Sequence, residues 1–262
     1  MVTTRFQSLA RKLLDEHDAR IQFHSVAALY GIDDLSAAYE AQDALVDLMA
    51  RRSHAVPAGY KIGLTSSRMQ TMCGIPHPVS GVVLSDRVLT SGARLDSARY
   101  GRLGIEFEIA VRLARDLPAA GAPYGMDDIA AAIDAIAPAI EIVDDRSADY
   151  DVLDPLSLVA DNSWNAGIVI GTFQQKWPDL PSLAGTVTRN GVVHDQGVGA
   201  DVLGHPFAPL VWLANHLARC GCGLDRGMIV VTGSIVTTKF PVSDENWRFD
   251  LAELGSVEVA ID

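Results

Sequence analysis

The N-terminal fifty residues place apolar side chains at helical spacing. Phe6, Leu9, Ala10, Leu13 and Leu14 share one face of residues 4–19 and charges fill the other, which predicts an amphipathic helix. Over 34–51, Leu35, Tyr39, Gln42, Val46 and Met49 step by three and four. Asp33 or Asp34 can cap that second helix. After residue 55 the texture changes to short β-branched runs bounded by turn residues. Gly81–Leu84, Ile105–Val111, Gly167–Ile170, Met228–Thr232 and Val257–Ile261 read as strands. Asn190-Gly191, flanked by the stretch Gly185–His194, predicts a hairpin with a type I′ turn. Two more helices are expected, over 126–136 and over 207–219, the latter stopped by Gly221. Strands dominate and helices are grouped, so the pattern favours α+β over a doubly wound sheet. A helical segment, 1–54, should precede a β-rich domain, 55–262, as one compact unit.

Composition narrows the partners. The chain is 48% hydrophobic and 21% charged, as folded proteins are. Its 21 basic and 33 acidic residues give a formal charge of −12, which argues against nucleic acid or an anionic membrane as the main partner. Three cysteines, Cys73, Cys220 and Cys222, make no disulfide framework and are expected to be buried structural thiols. No signal-peptide h-region and no run of about 18 apolar residues stand out, so the expected compartment is the cytoplasm. The histidines lack metal-ligand spacing, and no nucleophile elbow or phosphate-binding glycine loop is present.

Carboxylates carry the candidate chemistry. Glu106 and Glu108 lie two apart in a strand pattern and project together. Such a pair is either a solvated face or a cation site. Glu141 sits alone in the apolar run 135–143, where a carboxylate needs an ion pair, with Arg146 for instance, or a metal. Joined, the three make an oxygen site suited to Mg²⁺, Mn²⁺ or Ca²⁺. Lys61, between Gly59 and Gly63, is a surface lysine, a substrate anchor or a proton-transfer group. Asp161 in the polar cluster 161–165 braces a turn, or orients Lys61 or a metal-bound water. Thr232-Gly-Ser234 closes a tight turn, or offers backbone N–H groups and a hydroxyl to an anionic ligand.

The ordered set is more specific than its parts. GYKIGLTS at 59–66, IEFEIA at 105–110, PAIEIVD at 138–144, ADNSWNAG at 160–167, PLVWLANHL at 209–217 and TGS at 232–234 resembles the 2-keto-4-pentenoate hydratase group of the fumarylacetoacetate hydrolase superfamily. That group includes 2-oxohept-4-ene-dioate hydratases and 4-oxalocrotonate decarboxylases. The resemblance covers nearly the whole chain. It implies an N-terminal helical part followed by a mixed β-sandwich roll, with Glu106, Glu108 and Glu141 holding Mg²⁺ or Mn²⁺. It also implies catalytic roles for Lys61 and Asp161, and a substrate pocket lined by Leu64, Thr65 and Ser234. The implied protein is a homo-oligomer, with a possible partner enzyme of the same pathway. Its reaction would be hydration of a small 2-hydroxy-2,4-dienoate to a 4-hydroxy-2-oxo acid in aromatic catabolism. Decarboxylation of a 2-oxo acid and acylpyruvate-type hydrolysis are the alternative reactions, and a non-catalytic binder or partner subunit the alternative roles. Hydratases of the group usually carry an acidic and then an aromatic residue where this chain has Val79 and Ser80, which raises the share of the alternatives. Ser243-Asp244, where members often have Gly-Asp, concerns a turn.

Overall fold

The computed structural model describes residues 4–262. Helices α1 (Gln7–Asp18), α2 (Ala27–Tyr30) and α3 (Leu35–Ser53) open the chain. Asp34 caps α3, its carboxylate accepting the Ala37 N–H at 2.8 Å. Strand β1 (Pro57–Gly63), helix α4 (Ser67–Cys73) and strands β2 (Val79–Leu84), β3 (Val88–Thr90) and β4 (Ala93–Leu95) follow. Next come β5 (Leu103–Leu113), α5 (Met126–Ala130), β6 (Ile133–Asp144), α6 (Pro155–Ala160) and β7 (Asn165–Ile170). The chain ends with β8 (Ala184–Arg189), β9 (Val192–Val198), α7 (Ala208–Arg219), β10 (Ile229–Ser234), β11 (Asn246–Leu251) and β12 (Gly255–Ile261).

The strands form two mixed sheets, ordered β2-β1-β10-β5-β6-β7-β3 and β4-β12-β11-β8-β9. Alternation along β5 decides how they stack. Ile105, Phe107, Ile109 and Val111 face the second sheet and pack with Val187, Phe249, Val257 and Val259 in the main core. The even residues, Glu106, Glu108 and Ala110, face away from it. Small side chains there (Ala110, Ala137, Ala139) pack with Val83, Ile168 and Val231. The large sheet therefore curls on that face, bringing β2 toward β7. A separate core joins α1 and α3 to Val79, Val82, Leu84, Val143 and Trp164, so the helices cover one flank of the curled sheet. This is the α+β architecture the pattern predicts. No helix among the described residues is long and apolar enough to cross a membrane.

The curl is latched by a strained turn. Asn162, Ser163 and Trp164 all adopt left-handed backbone, with φ of 52°, 48° and 60°. Only the first is a residue type that visits this region readily. Asn162 justifies the strain by clasping β2: its amide donates to the Val82 carbonyl at 2.9 Å and accepts the Val82 N–H at 2.7 Å. Ser163 adds a hydroxyl bond to the Ser80 carbonyl at 2.9 Å. Removing both amide bonds in Asn162→Ala is expected to lower unfolding free energy by about 2–4 kcal/mol. Denaturant titration reads this, and a loss below about 0.5 kcal/mol would mean the clasp is not what holds the curl.

Two expectations are corrected. The helix expected over 126–136 ends at Ala130, because Ile133–Asp144 is drawn into β6. Its alanines suit a helix by propensity, but burial on both sides of the central sheet wins. Of the three cysteines expected to be buried, Cys73 is, whereas Cys220 and Cys222 are exposed just beyond α7. The hairpin is as predicted: Asn190 and Gly191 both have positive φ, 50° and 78°, between β8 and β9.

Candidate metal centre and active site

Strand register assembles the acidic cluster. β5 and β6 are antiparallel neighbours, and Glu106 stands directly opposite Glu141. Glu108 lies one pleat along on the same face, so three carboxylates crowd one patch of the curled sheet. One oxygen from each falls within 4.8 Å of the others. Glu108 and Glu141 are fully buried and Glu106 is half-buried. Lys61 joins them from β1, on the far side of β10. Its Nζ is 3.1 Å from Glu141 Oε1 and 3.3 Å from Oε2.

Each carboxylate is oriented by its own donor. The Gly233 N–H donates to Glu108 Oε2 at 2.6 Å, the Asn165 amide to Glu141 Oε1 at 3.0 Å, and the Thr238 hydroxyl to Glu106 Oε1. Glycine is needed at 233: φ is 113°, and a Cβ there would lie 2.1 Å from Thr65 Oγ1. Thr65 thus packs directly over the Gly233 backbone, whose N–H meets Glu108. Glu108 Oε1 is buried with no donor among the described residues.

Electrostatics point the same way. Burial, followed by the charges of Glu141 and Glu106, pushes the Glu108 carboxyl well above the usual range. Burial also raises Glu141, against the pull of Lys61. For Lys61, burial alone would lower the pKa, but the charges of Glu141, Glu106 and Glu108 outweigh it and the ammonium is held above its ordinary value. One lysine cannot neutralise three carboxylates. The orphaned Glu108 oxygen and an all-oxygen donor set fit a hard divalent cation such as Mg²⁺ or Mn²⁺.

The other expected residues divide. Leu64 is buried after β1 with φ of 54°, and its carbonyl accepts the Gln70 amide at 3.0 Å. Ser234 lies opposite Glu108, but its hydroxyl accepts the Phe107 N–H at 2.9 Å and so serves the β5 backbone. Asp161 is not brought to Lys61. Its oxygens lie 2.9 Å from Arg146 Nη1 and 2.7 Å from His17 Nε2, tying α1 to the chain after β6. Arg146, the alternative ion-pair partner for Glu141, is committed there instead. Gly233 belongs to the Thr232-Gly-Ser turn, and its N–H meets an anionic oxygen, that of Glu108. Asn165 lay within the polar cluster already noted, whereas Thr238 carries no sequence signal. Val79 stands opposite Gly63 across β1 and β2, and a Cβ built on Gly63 would lie 3.5 Å from Val79 Cγ2 and 3.5 Å from Lys61 Nζ, which puts Val79 on the lysine's side of the sheet.

Comparison with known proteins gives the family. The family model for the fumarylacetoacetate hydrolase C-terminal region matches residues 65–262. The chain is 30% identical to the 2-oxo-hept-4-ene-1,7-dioate hydratase of Escherichia coli, covering 95% of each chain. It is 32% identical to the 2-keto-4-pentenoate hydratase of Paraburkholderia phymatum, covering 98% of this chain and 97% of that one. The structure of 4-oxalocrotonate decarboxylase from Pseudomonas putida G7, complexed with magnesium and adipate, superposes with a TM-score of 0.91. That alignment covers 98% of this chain and 97% of the other at 27% identity. With a matching fold, a family model over three quarters of its length and these full-length relatives, the chain belongs to the fumarylacetoacetate hydrolase family.

Proposed function

We propose that this protein is a divalent-metal-dependent lyase that hydrates a small 2-hydroxy-2,4-dienoate to a 4-hydroxy-2-oxo acid. The observation that carries the reading is the buried Glu106–Glu108–Glu141 cluster with one orphaned oxygen and Lys61 against it. The three carboxylates would hold Mg²⁺ or Mn²⁺, which when bound supplies a Lewis acid for a 2-oxo acid's carboxylate and 2-oxygen. Lys61, held as an ammonium, stores a buried proton within reach of the substrate. Lys61 Nζ delivers its proton to C5 of the dienol and regains the proton that the 2-hydroxyl releases, so the 3-enone results and the lysine is again an ammonium. Water then adds across C3 and C4, placing hydroxyl on C4 and hydrogen on C3. Leu64 and Val79 make the walls apolar, which excludes bulk water and strengthens the charges inside. Asp161 is assigned a positioning role, bracing with Arg146 the turn that carries Asn165 to Glu141. The reading extends to a homo-oligomer in the cytoplasm.

One observation favours a second reading, decarboxylation of a 2-oxo diacid. Val79 gives Lys61 no neighbouring acid to share water activation. Decarboxylation needs none: the C–C bond breaks, its electron pair passes into the enolate of the 2-oxo group, and one proton returns to carbon. Mass analysis of products from a panel of 2-hydroxy-dienoates and 2-oxo diacids, with Mg²⁺ and with chelator, separates the two. Metal-dependent gain of one water is the expected result, and loss of carbon dioxide alone would establish the second reading. No metal-dependent product from either class would overturn both.

A further inference from the structure

A cavity of about 650 Å³ lies where the ends of α1 and α3 meet β3, β4 and the start of β7. Ile142 lines it, whereas its neighbour Glu141 points to the opposite face of β6. None of the three clustered carboxylates borders it. Five arginines do: Arg20, Arg52, Arg87, Arg94 and Arg99. In a chain of formal charge −12 this local concentration of guanidinium groups runs against the overall balance.

Several of the charges are already committed. Arg52 lies 2.7 Å from Asp18, and Arg94 pairs with Asp262. Among the lining acids, Asp96 caps the Ala98 N–H, and Asp144 accepts the N–H groups of Gly101, Arg102 and Arg146. Arg20, Arg87 and Arg99 have no carboxylate within ion-pair distance among the described residues, and the lining carboxylates of Asp86, Asp96 and Asp144 pair with none of them. Burial, reinforced by the like charge of Arg52, lowers the Arg87 pKa despite Asp86 beside it. It is a half-buried cation with no ion-pair partner among the described residues.

The cavity also touches the centre. Arg87 Nη1 lies 3.4 Å from the Asn165 carbonyl, and the Asn165 side chain donates to Glu141. Two contacts thus span from the arginines to a clustered carboxylate.

The geometry points to a second ligand site, in which Arg87 and Arg99 bind a small organic anion carrying at least two negative charges on oxygen, with its occupancy felt at Glu141 through Asn165. Guanidinium forks match phosphate and carboxylate oxygens equally well. The volume is that of an organic ligand rather than of inorganic phosphate alone. By linkage, a ligand that alters metal affinity has its own affinity altered by the same factor.

Isothermal titration of the full-length, Mg²⁺-loaded protein with glycerol 3-phosphate, succinate and inorganic phosphate tests this without any turnover, so it stands apart from the proposed reaction. At least one organic anion is expected to bind with Kd below about 1 mM. Arg99→Gln, at an exposed position, and Arg87→Gln are each expected to weaken it about tenfold or more. Selective binding of glycerol 3-phosphate would identify a phosphate site, and of succinate a carboxylate site. Saturating anion should shift the Mg²⁺ Kd of the wild-type protein at least about threefold, and leave Arg99→Gln unmoved. Absence of binding, or binding that survives both substitutions, overturns the site. Succinate retained by both variants would belong to the carboxylate centre. Substitutions that change the sedimenting mass without any anion binding would make the cavity a subunit interface instead. Binding without a Mg²⁺ shift overturns the coupling.

Discussion

Glu108→Gln is expected to cut metal-dependent turnover by about 10³-fold or more while leaving the metal-free protein at least as stable as wild type. The two effects share one cause. Glu108 is fully buried, its Oε1 has no donor, and its charge faces those of Glu141 and Glu106. In the metal-free protein that charge is a liability, which glutamine removes at nearly constant volume. With Mg²⁺ it becomes a ligand, which glutamine's neutral amide replaces poorly. The pH dependence has a definite sign. The raised carboxyl keeps its proton in the folded protein after the unfolded chain has released its own. Stability of the metal-free protein therefore falls as pH rises from the usual carboxylate value toward the raised one. Mg²⁺ should restore it most at the upper end of that window. Thermal unfolding across pH, with and without Mg²⁺, is expected to show a smaller slope in Glu108→Gln. Full activity of this variant with Mg²⁺ supplied would place the centre elsewhere.

How far the sequence led can be followed along β5. Alternation from Ile105 to Val111 sets which residues face the core, because a strand has period two. That also places Glu106 and Glu108 together. Glu141 stood out as one carboxylate in an apolar run, but its position opposite Glu106 is a matter of register between β5 and β6. Register follows from packing across the sheet, which no local pattern encodes. The same holds for Asp161. Four residues on in sequence, Asn165 reaches Glu141. The left-handed turn at 162–164, however, swings the chain between them, and Asp161 closes instead on Arg146 and His17. Three consecutive left-handed residues, two of them Ser and Trp, go against local propensity. Their stability rests on the Asn162 clasp to β2, about 80 residues earlier in the chain. The missed helix end at Ala130 has the reverse cause. There local propensity spoke for a helix, and the central sheet overrode it.

Lys61→Met separates a proton donor from a mere counter-ion, and its effects are expected to run in opposite directions. Turnover should fall by about 10²–10⁴-fold, the usual contribution of a positioned acid–base group. Without metal, Glu141 loses its cationic partner at 3.1 Å inside a fully buried site. Breaking such a pair typically destabilises by about 3–5 kcal/mol. Mg²⁺ should recover much of that loss, since a cation bound by the three carboxylates supplies the missing charge. Mg²⁺ should also bind more tightly to the variant, because the ammonium no longer repels it or competes for Glu141. Arginine is a poor substitute. A planar guanidinium presents its donors in a fixed fork rather than as a compact ammonium, so it does not reproduce the point charge against Glu141. Calorimetric Mg²⁺ titration and steady-state kinetics at saturating metal read the two effects separately. Tighter metal with collapsed kcat is the outcome expected of a proton donor. Turnover within tenfold of wild type would reduce Lys61 to charge balance. Loss of metal binding together with activity would mean that it serves only to hold Glu141 in place.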